Sequence, residues 1–474
     1  MRIPIEEELM QHRNNKAETK IISIGYPDED LRNEEDFHET DYGNAEFLVD
    51  AHGKDLHYCY PLRRWFVWDK RHWQEDQTGE SERRAKDAVR QLVQENPEHG
   101  LKSEAATRIQ AMLKLAKSEP GIPVLPKQLD QHPMLLNCRN GTIDLRTGEL
   151  REHRREDLIT KLCPVEYDKN AEAPIWTSFL KRVMDRNEEK TGFLQRLSGY
   201  SLSGDVSERV LIILLGKGRN GKTVVLETCR SILGPDYSRR TPTSTLLGKR
   251  TGMVPNDIAR LRGARFVTAS ESDEGKPLDE STVKDLTGGD TLVSRHMAAE
   301  WFEFHPEFKL WLATNHRPII RGADQGIWDR IILFPFNIMI PENEQDKHLI
   351  DKLRDELPGI LAWAVSGCLK WQELGHLGIP DEVKTAVRKY RREMDFIGGF
   401  LDECCVMEPD AVTRSAELYE SYKTWAEEKC KAPITQKRFG NMMTVRGIHR
   451  DRDSRTGLTD YHGIRLGENE GSEG

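Results

Sequence analysis

Long hydrophobic runs are missing from this sequence. No apolar stretch approaches the roughly 18 residues that a membrane-spanning helix needs, so no such helix is expected. Metal-binding cysteine spacings are missing too. The eight cysteines are scattered, only Cys404 and Cys405 are adjacent, and no C-x-x-C occurs. That excludes a zinc ribbon and points to reduced thiols, as in a cytoplasmic protein. There is no excess of positive charge. A net charge of −9 argues against indiscriminate coating of nucleic acid but leaves room for a local basic channel. The opening stretch MRIPIEEELMQHRNN lacks the apolar core of a secretion leader. Internal repeats and low-complexity tracts are absent. What remains is 474 residues, 37% hydrophobic and 31% charged, enough for two to four globular domains.

Residues 1–45 are polar and acidic, which predicts a peripheral segment. An α+β region is expected over 46–199. There RRWFVWDKRHWQED alternates like paired strands, with Trp65, Trp68 and Trp73 read as core. A helical stretch follows over about 80–118. NCRNGTIDLRTGEL then carries turn signals at Asn140-Gly141 and Thr147-Gly148, and 173–200 read as helical. Strands and helices alternate over 200–345, as in a parallel α/β sheet. A helical segment is expected over 346–395, a small unit over 396–466, and a disordered tail over 467–474.

One loop carries most of the chemistry. Gly216 followed by four residues and then Gly221-Lys222-Thr223 gives G-x-x-x-x-G-K-[ST]. Glycines let backbone N–H groups approach phosphate oxygens closely. Lys222 can reach the β- and γ-phosphates, and the Thr223 hydroxyl can ligate Mg²⁺. The loop residues Gly216, Gly218, Asn220, Gly221, Lys222, Thr223 and Val224 are therefore expected to bind the nucleotide. RVLIILLG before the loop reads as a buried strand and KTVVLETCRSIL after it as a helix ending at Gly234-Pro235.

Acids are expected on a neighbouring strand. Phe266–Ala269 reads as one, with Glu271 at its carboxyl end to hold Mg²⁺ or polarise the attacking water, and Asp273 and Glu274 close by. A third strand, FKLWLATN, ends in Asn315, whose amide can orient that water. Arg330 opens the apolar strand in DRIILFPF, a place from which a guanidinium can reach a phosphate in a neighbouring subunit. Between them, DTLVSRHMAAEWFEF reads as a hairpin turning near Met297-Ala298-Ala299. Lys284, Arg295 and His296 lie ahead of that turn and are candidates for DNA phosphates. The alternative for Arg295 is an ion pair with Asp290 or Glu300.

The set GKGRNGKT, Glu271, KDLTGGDTLVSRH, ATNHRP and DRIILFPF falls in order within about 120 residues. It resembles the superfamily-3 helicases, and within them the phage/plasmid primase-helicase family with its poxvirus-like N-terminal helicase-associated region. WFVWDKRHWQED, LLNCRNGTIDLRTGEL and APIWTSFLKRVM resemble that region. The resemblance implies an AAA+ parallel-sheet motor, a homo-hexamer that hydrolyses ATP with Mg²⁺ and unwinds DNA, acting on single-stranded and forked DNA. It implies catalytic roles for Lys222, Glu271, Asn315 and a trans-acting Arg330, and Mg²⁺ at Thr223 and Glu271. A separate primase or polymerase is an expected partner, since residues 1–54 are too few for a primase-polymerase domain. Two departures stand out: Asp329 occupies a place where the family often has a second arginine, and the acid motif is Ser-Glu rather than two adjacent acids.

SAELYESYKTWAEE and ITQKRFGNMMTVRG read as amphipathic helices, followed by a hairpin in IHRDRDSRTGLTDYHGIRL. Helix, helix, hairpin is a winged helix and resembles the family's C-terminal module. Lys437 and Arg438 would enter a groove, and Arg450, Arg452 and Arg455 would touch phosphates. A lid packing on protein is the alternative for this unit. For the whole chain, the alternatives are an ATP-switched replication initiator or loader, and a P-loop kinase or metabolic ATPase.

Overall fold

The computed structural model describes residues 37–248, 256–270, 276–295, 301–320, 324–429, 433–452, 454 and 457–467. These residues divide into two compact units, one of residues up to 131 together with 154–160, the other of 132–153 and everything from 161 onward.

The first unit opens with helix α1 (Asp41–His52), then an antiparallel sheet of β1 (Leu56–Cys59), β2 (Arg64–Trp68) and β3 (Trp73–Glu75). Helices α2 (Glu80–Glu95), α3 (Pro97–Ser103) and α4 (Ala106–Ala116) follow. Trp68 and Trp73 are buried, and the Trp73 indole donates to the Arg155 carbonyl at 2.9 Å. The tryptophans belong to the core, as expected. The N-terminal polar segment, expected to run to 45, gives way earlier: α1 begins at Asp41 and buries Ala45 and Leu48. Its Asn44 is also buried, because its amide is matched by Ser103 and His99 at 3.0 and 2.7 Å.

The second unit begins with the three-stranded sheet of β4 (Leu135–Cys138), β5 (Gly141–Asp144) and β6 (Glu149–Arg151). Then come helices α5 (Pro174–Val183) and α6 (Glu188–Tyr200). The boundary expected at 199/200 does not coincide with the division into units. Trp176, Phe179, Phe193 and Leu197 are buried in one cluster with the central sheet, so α5 and α6 belong to that sheet's core.

That sheet holds β7 (Leu211–Leu215), β8 (Ser238–Arg240), β9 (Phe266–Ser270), β12 (Lys309–Thr314) and β13 (Ile331–Pro335). Their order is β13-β7-β12-β9-β8, every pairing parallel. Parallel strands covered on both faces are apolar throughout. Ile212 and Leu214 face one cluster and Leu211 and Ile213 the other. Helix α7 (Lys222–Tyr237) links β7 to β8 and kinks at Gly234. Helices α8 (Asn256–Ala259) and α9 (Glu280–Gly288), the hairpin β10 (Leu292–Arg295) and β11 (Trp301–Phe304), and α10 (Gln325–Trp328) fill the other connections. Three helices follow, α11 (Leu349–Asp355), α12 (Leu357–Leu374) and α13 (Asp381–Met394).

The C-terminal part runs α14 (Phe396–Cys404), β14 (Cys405–Arg414), α15 (Ser415–Glu428), α16 (Gln436–Val445), β15 (Arg450–Arg452) and β16 (Thr459–Leu466). Its sheet order is β14-β16-β15, antiparallel, over a core of Phe400, Tyr422, Phe439 and Tyr461. The expected winged-helix order is present, with a helix and a long strand added ahead of it. Gly467, expected in the tail, still donates to the Cys404 carbonyl at 2.8 Å. Among the described residues no helix is long and apolar enough to cross a membrane.

Candidate nucleotide site

The register of the sheet brings three strand ends level. Thr314 pairs with Leu215, and Pro335 pairs with Leu215 from the other side. The next residues, Gly216, Asn315 and Phe336, therefore meet at the carboxyl edge, where ligands bind in such sheets. Ser270, the last residue of β9, sits one step behind, opposite Ala313. Glu271, Asp273 and Glu274 follow it and lie outside the described residues.

Gly216 admits no side chain. A Cβ there would stand 2.0 Å from the Asn220 amide nitrogen and 2.5 Å from the Phe336 carbonyl. Asn220 uses that space to donate to the Phe336 carbonyl at 3.1 Å, which ties the loop to the end of β13. Gly221, with φ of 89°, turns the chain into α7, and a Cβ there would strike Val183 and Phe179 of α5. Lys222 then points back across the loop. Its ammonium donates to the Gly216 carbonyl at 2.5 Å, the Asn220 side-chain oxygen at 3.1 Å and the Asn315 side-chain oxygen at 3.2 Å. Lys222 is 6% exposed, and burial pushes its pKa down to about 8. Gly218 stands at positive φ on the outer bend, Thr223 is exposed in the first turn of α7, and Val224 is half-buried beside it.

A phosphate chain fits this cradle: inward glycine backbone, a helix N-terminus and one buried ammonium. A Mg²⁺ would need only the Thr223 hydroxyl, phosphate oxygens and an acid such as Glu271. Among the described residues no group of three or more His, Cys, Asp or Glu could hold a metal by itself.

Arg330 lies at the other end of the sheet. It precedes Ile331, which pairs with Leu211, the first residue of β7. Its guanidinium donates to the Gly326 carbonyl at 2.6 Å, while its Nε is buried with no partner among the described residues. This chain's own Lys222 is beyond its reach. Lys284, on α9, is not part of the hairpin; its ammonium is ion-paired with Asp324 at the start of α10.

The hairpin forms where expected. Leu292 and Ser294 are buried, whereas Val293 and Trp301 are 54% and 56% exposed. Arg295 pairs across the hairpin with Trp301 and lies 4.8 Å from the centre of its ring. Among the described residues no ion pair joins Arg295 to Asp290, and Glu300, the other partner of the ion-pair alternative, lies outside them. Trp301 is a contact residue that charge-based reading passed over. His296 and the hairpin's tip are outside the described residues. In the C-terminal part, Lys437 is exposed and Arg438 half-buried on α16, while Arg446 is ion-paired with Asp395. Arg450 and Arg452 are exposed on β15, and Arg455 lies outside the described residues.

Comparison with known proteins adds three relatives. Residues 45–185 match the family described as D5 N terminal like. Putative helicase 121R of Invertebrate iridescent virus 3 is 26% identical over 332 residues, 63% of this chain and 35% of the viral protein. A protein of Acanthamoeba polyphaga mimivirus, also named a putative helicase, is 27% identical over 330 residues, 64% of this chain and 34% of that one. The chain is similar in sequence to these viral proteins named putative helicases. A protein of African swine fever virus named a putative primase is 24% identical over 328 residues, 63% of this chain and 34% of its own. This bears out the family resemblance read from the motifs. The chain spans about a third of the length of these viral relatives. In fold it is similar to the apo structure of the NrS-1 C terminal region, residues 305–718. That likeness has a TM-score of 0.50 at 11% identity and covers 90% of this chain and all of the other.

Proposed function

We propose that this chain is the motor of an ATP-dependent, ring-forming DNA helicase in the replication of a phage, plasmid or other mobile element. The relatives' names support a helicase-like role in replication. The observation that carries the reading is the Lys222 ammonium, held between the loop carbonyl of Gly216 and the amide of Asn315 at one edge of a parallel sheet. A terminal phosphate placed there meets a positive charge and a water-orienting amide together.

In this reading the loop backbone from Gly216 to Thr223 wraps the phosphates. Lys222 exchanges its internal acceptors for phosphate oxygens, so bound phosphate restores its full charge. Thr223 and Glu271 would hold a Mg²⁺ ion, which would supply charge neutralisation to the phosphates. Asn315 orients the attacking water, and Glu271 polarises it. Arg330, remote from its own chain's loop, completes the site of a neighbouring subunit, which calls for a closed ring, a hexamer by family resemblance. The hairpin bearing Arg295 and His296 runs directly into β12, whose end carries Asn315, so a change at the phosphate is passed to the DNA-gripping element through one strand. Single-stranded and forked DNA are its substrates, with Lys437 and Arg438 of the winged helix as a second contact. A separate primase or polymerase is its partner, and the cytoplasm its place.

ATP hydrolysis measured with and without single-stranded DNA tests the reading. Stimulation by DNA is the expected result. Robust hydrolysis indifferent to DNA would point to a metabolic ATPase. Nucleotide-dependent assembly on DNA without unwinding would point to an initiator or loader.

A further inference from the structure

A cleft opens between the phosphate loop and the end of α13. Its volume is about 720 Å³, and its lining includes Gly216 and Lys217 of the loop, Asn315 and Arg317 after β12, and Glu393 of α13. Asn315 has a place in the nucleotide reading. Arg317, two residues on, has none.

Local structure fixes how Arg317 meets the cleft. Beyond β12 the chain turns sharply: the His316 N–H donates to the Thr314 hydroxyl at 3.1 Å, and that hydroxyl donates to the His316 carbonyl at 2.7 Å. Pro318 follows, and its carbonyl accepts from the hydroxyl of Tyr390, a buried residue of α13. The Tyr390 ring backs the Arg317 guanidinium, with 5.9 Å from its centre to the guanidinium carbon. The backbone of Arg317 is thus anchored, and its Nη1 is ion-paired with Glu393. Both side chains of the pair are partly exposed, so a ligand in the cleft can reach them. The guanidinium Nε is buried and has no partner among the described residues. A buried donor without a partner is costly, and a phosphate oxygen is a strong acceptor for it.

Charge decides what the pair does when a triphosphate arrives. In the nucleotide reading the terminal phosphate lies by Lys222 and Asn315, on the wall of this cleft. It brings about two negative charges near the single charge of Glu393. A guanidinium offered both turns toward the greater charge, and its planar fork can hold two phosphate oxygens at once. Glu393 works against binding in two ways. It competes for Arg317, and its own charge repels the phosphate.

We propose that Arg317 is a second cation for the terminal phosphate, held on Glu393 until ATP binds and then exchanged onto the phosphate. Glu393 sets how readily that exchange occurs. The inference rests on the nucleotide reading of the loop.

The full chain is titrated calorimetrically with the β,γ-imido analogue of ATP and, separately, with ADP, both with Mg²⁺. Arg317→Ala should lose about tenfold in affinity for the analogue and less than about twofold for ADP, which lacks the terminal phosphate. Arg317→Lys, which keeps the charge, should recover part of the loss. Glu393→Gln should bind the analogue about threefold more tightly than the parent chain does, with ADP unmoved. That gain separates the proposal from a merely structural ion pair, which either substitution would only damage. Thermal melts verify folding, and if Arg317→Ala does not fold, Glu393→Gln decides alone. A folded Glu393→Gln with no gain for the analogue overturns the proposal. So does a folded Arg317→Ala that loses affinity equally for both ligands. Failure of the parent chain to bind either nucleotide is a different result: it removes the nucleotide reading, and the role of Arg317 with it.

Discussion

Arg330 and Lys222 stand at opposite ends of the same sheet, and that separation makes a quantitative prediction. Ile331 to Pro335 of β13 run beside Leu211 to Leu215 of β7 in parallel register. Five residues at ~3.3 Å each place Arg330 about 16 Å from the level of the loop, farther than its side chain reaches. If Arg330 serves hydrolysis, it serves a neighbour. Arg330→Ala alone should lose about 10³–10⁵ in turnover, the usual worth of such a guanidinium, while still binding ATP. Lys222→Ala should be inactive for a different reason, having lost the charge at the phosphates. Mixed one to one, the two dead variants should revive each other. A working site needs an intact Lys222 on one subunit and an intact Arg330 on the next. Random assembly supplies each with a chance of one half, so up to about a quarter of parental turnover returns. The assay is phosphate release with single-stranded DNA, after exchange of subunits and with rings verified by light scattering. A mixture no more active than the sum of its parts would refute the trans role.

Burial of Lys222 makes nucleotide affinity pH-dependent. With its pKa at about 8, the ammonium is present below that pH and lost above it. ATP affinity should therefore fall as pH rises above 8, by up to about tenfold per unit, with proton uptake on binding seen by calorimetry in buffers of different ionisation heat. A flat profile from pH 7 to 9.5 would contradict it. Gly216→Ala should force the Asn220 amide off the Phe336 carbonyl, a cost of about 1–3 kcal/mol in urea melts together with lost ATP binding. An unchanged melt would mean that the loop relaxes around the methyl group. Arg295→Ala with His296→Ala should weaken single-stranded DNA binding, flatten its salt dependence and spare basal hydrolysis. Unchanged affinity in a folded double variant would move the DNA contact to the winged helix.

Local pattern made the centre of the parallel sheet readable before its structure. The strand, loop and helix around Gly216–Thr223 are specified by neighbours in sequence: an apolar β-branched run, fixed glycine spacing and an amphipathic helix. The winged-helix order was equally visible. What stayed hidden depends on distant partners. β14 reads CVMEPDAVTR, acidic and interrupted by Pro409, and it becomes a strand only by pairing with β16 across a register shift. α1 buries Asn44 against His99 and Ser103, more than fifty residues away. α5 looked like part of an N-terminal domain, yet Phe179 and Val183 pack on Gly221 of the loop. Charge alone marks Arg295 as a DNA contact, and the hairpin register that sets it over Trp301 was not visible. An apolar cleft beside the loop draws on three segments, around 175–182, 219–224 and 340–349, that no single motif contains.

Strand separation reports whether ATP turnover at this loop is coupled to DNA. A forked duplex with one labelled strand is mixed with the parent chain and with Lys222→Ala, each with ATP and Mg²⁺, and released strand is followed over time. Release by the parent that needs ATP, together with none by a Lys222→Ala protein that still binds the fork, is the predicted result. A parent chain that binds the fork and hydrolyses ATP but never separates the strands would contradict it.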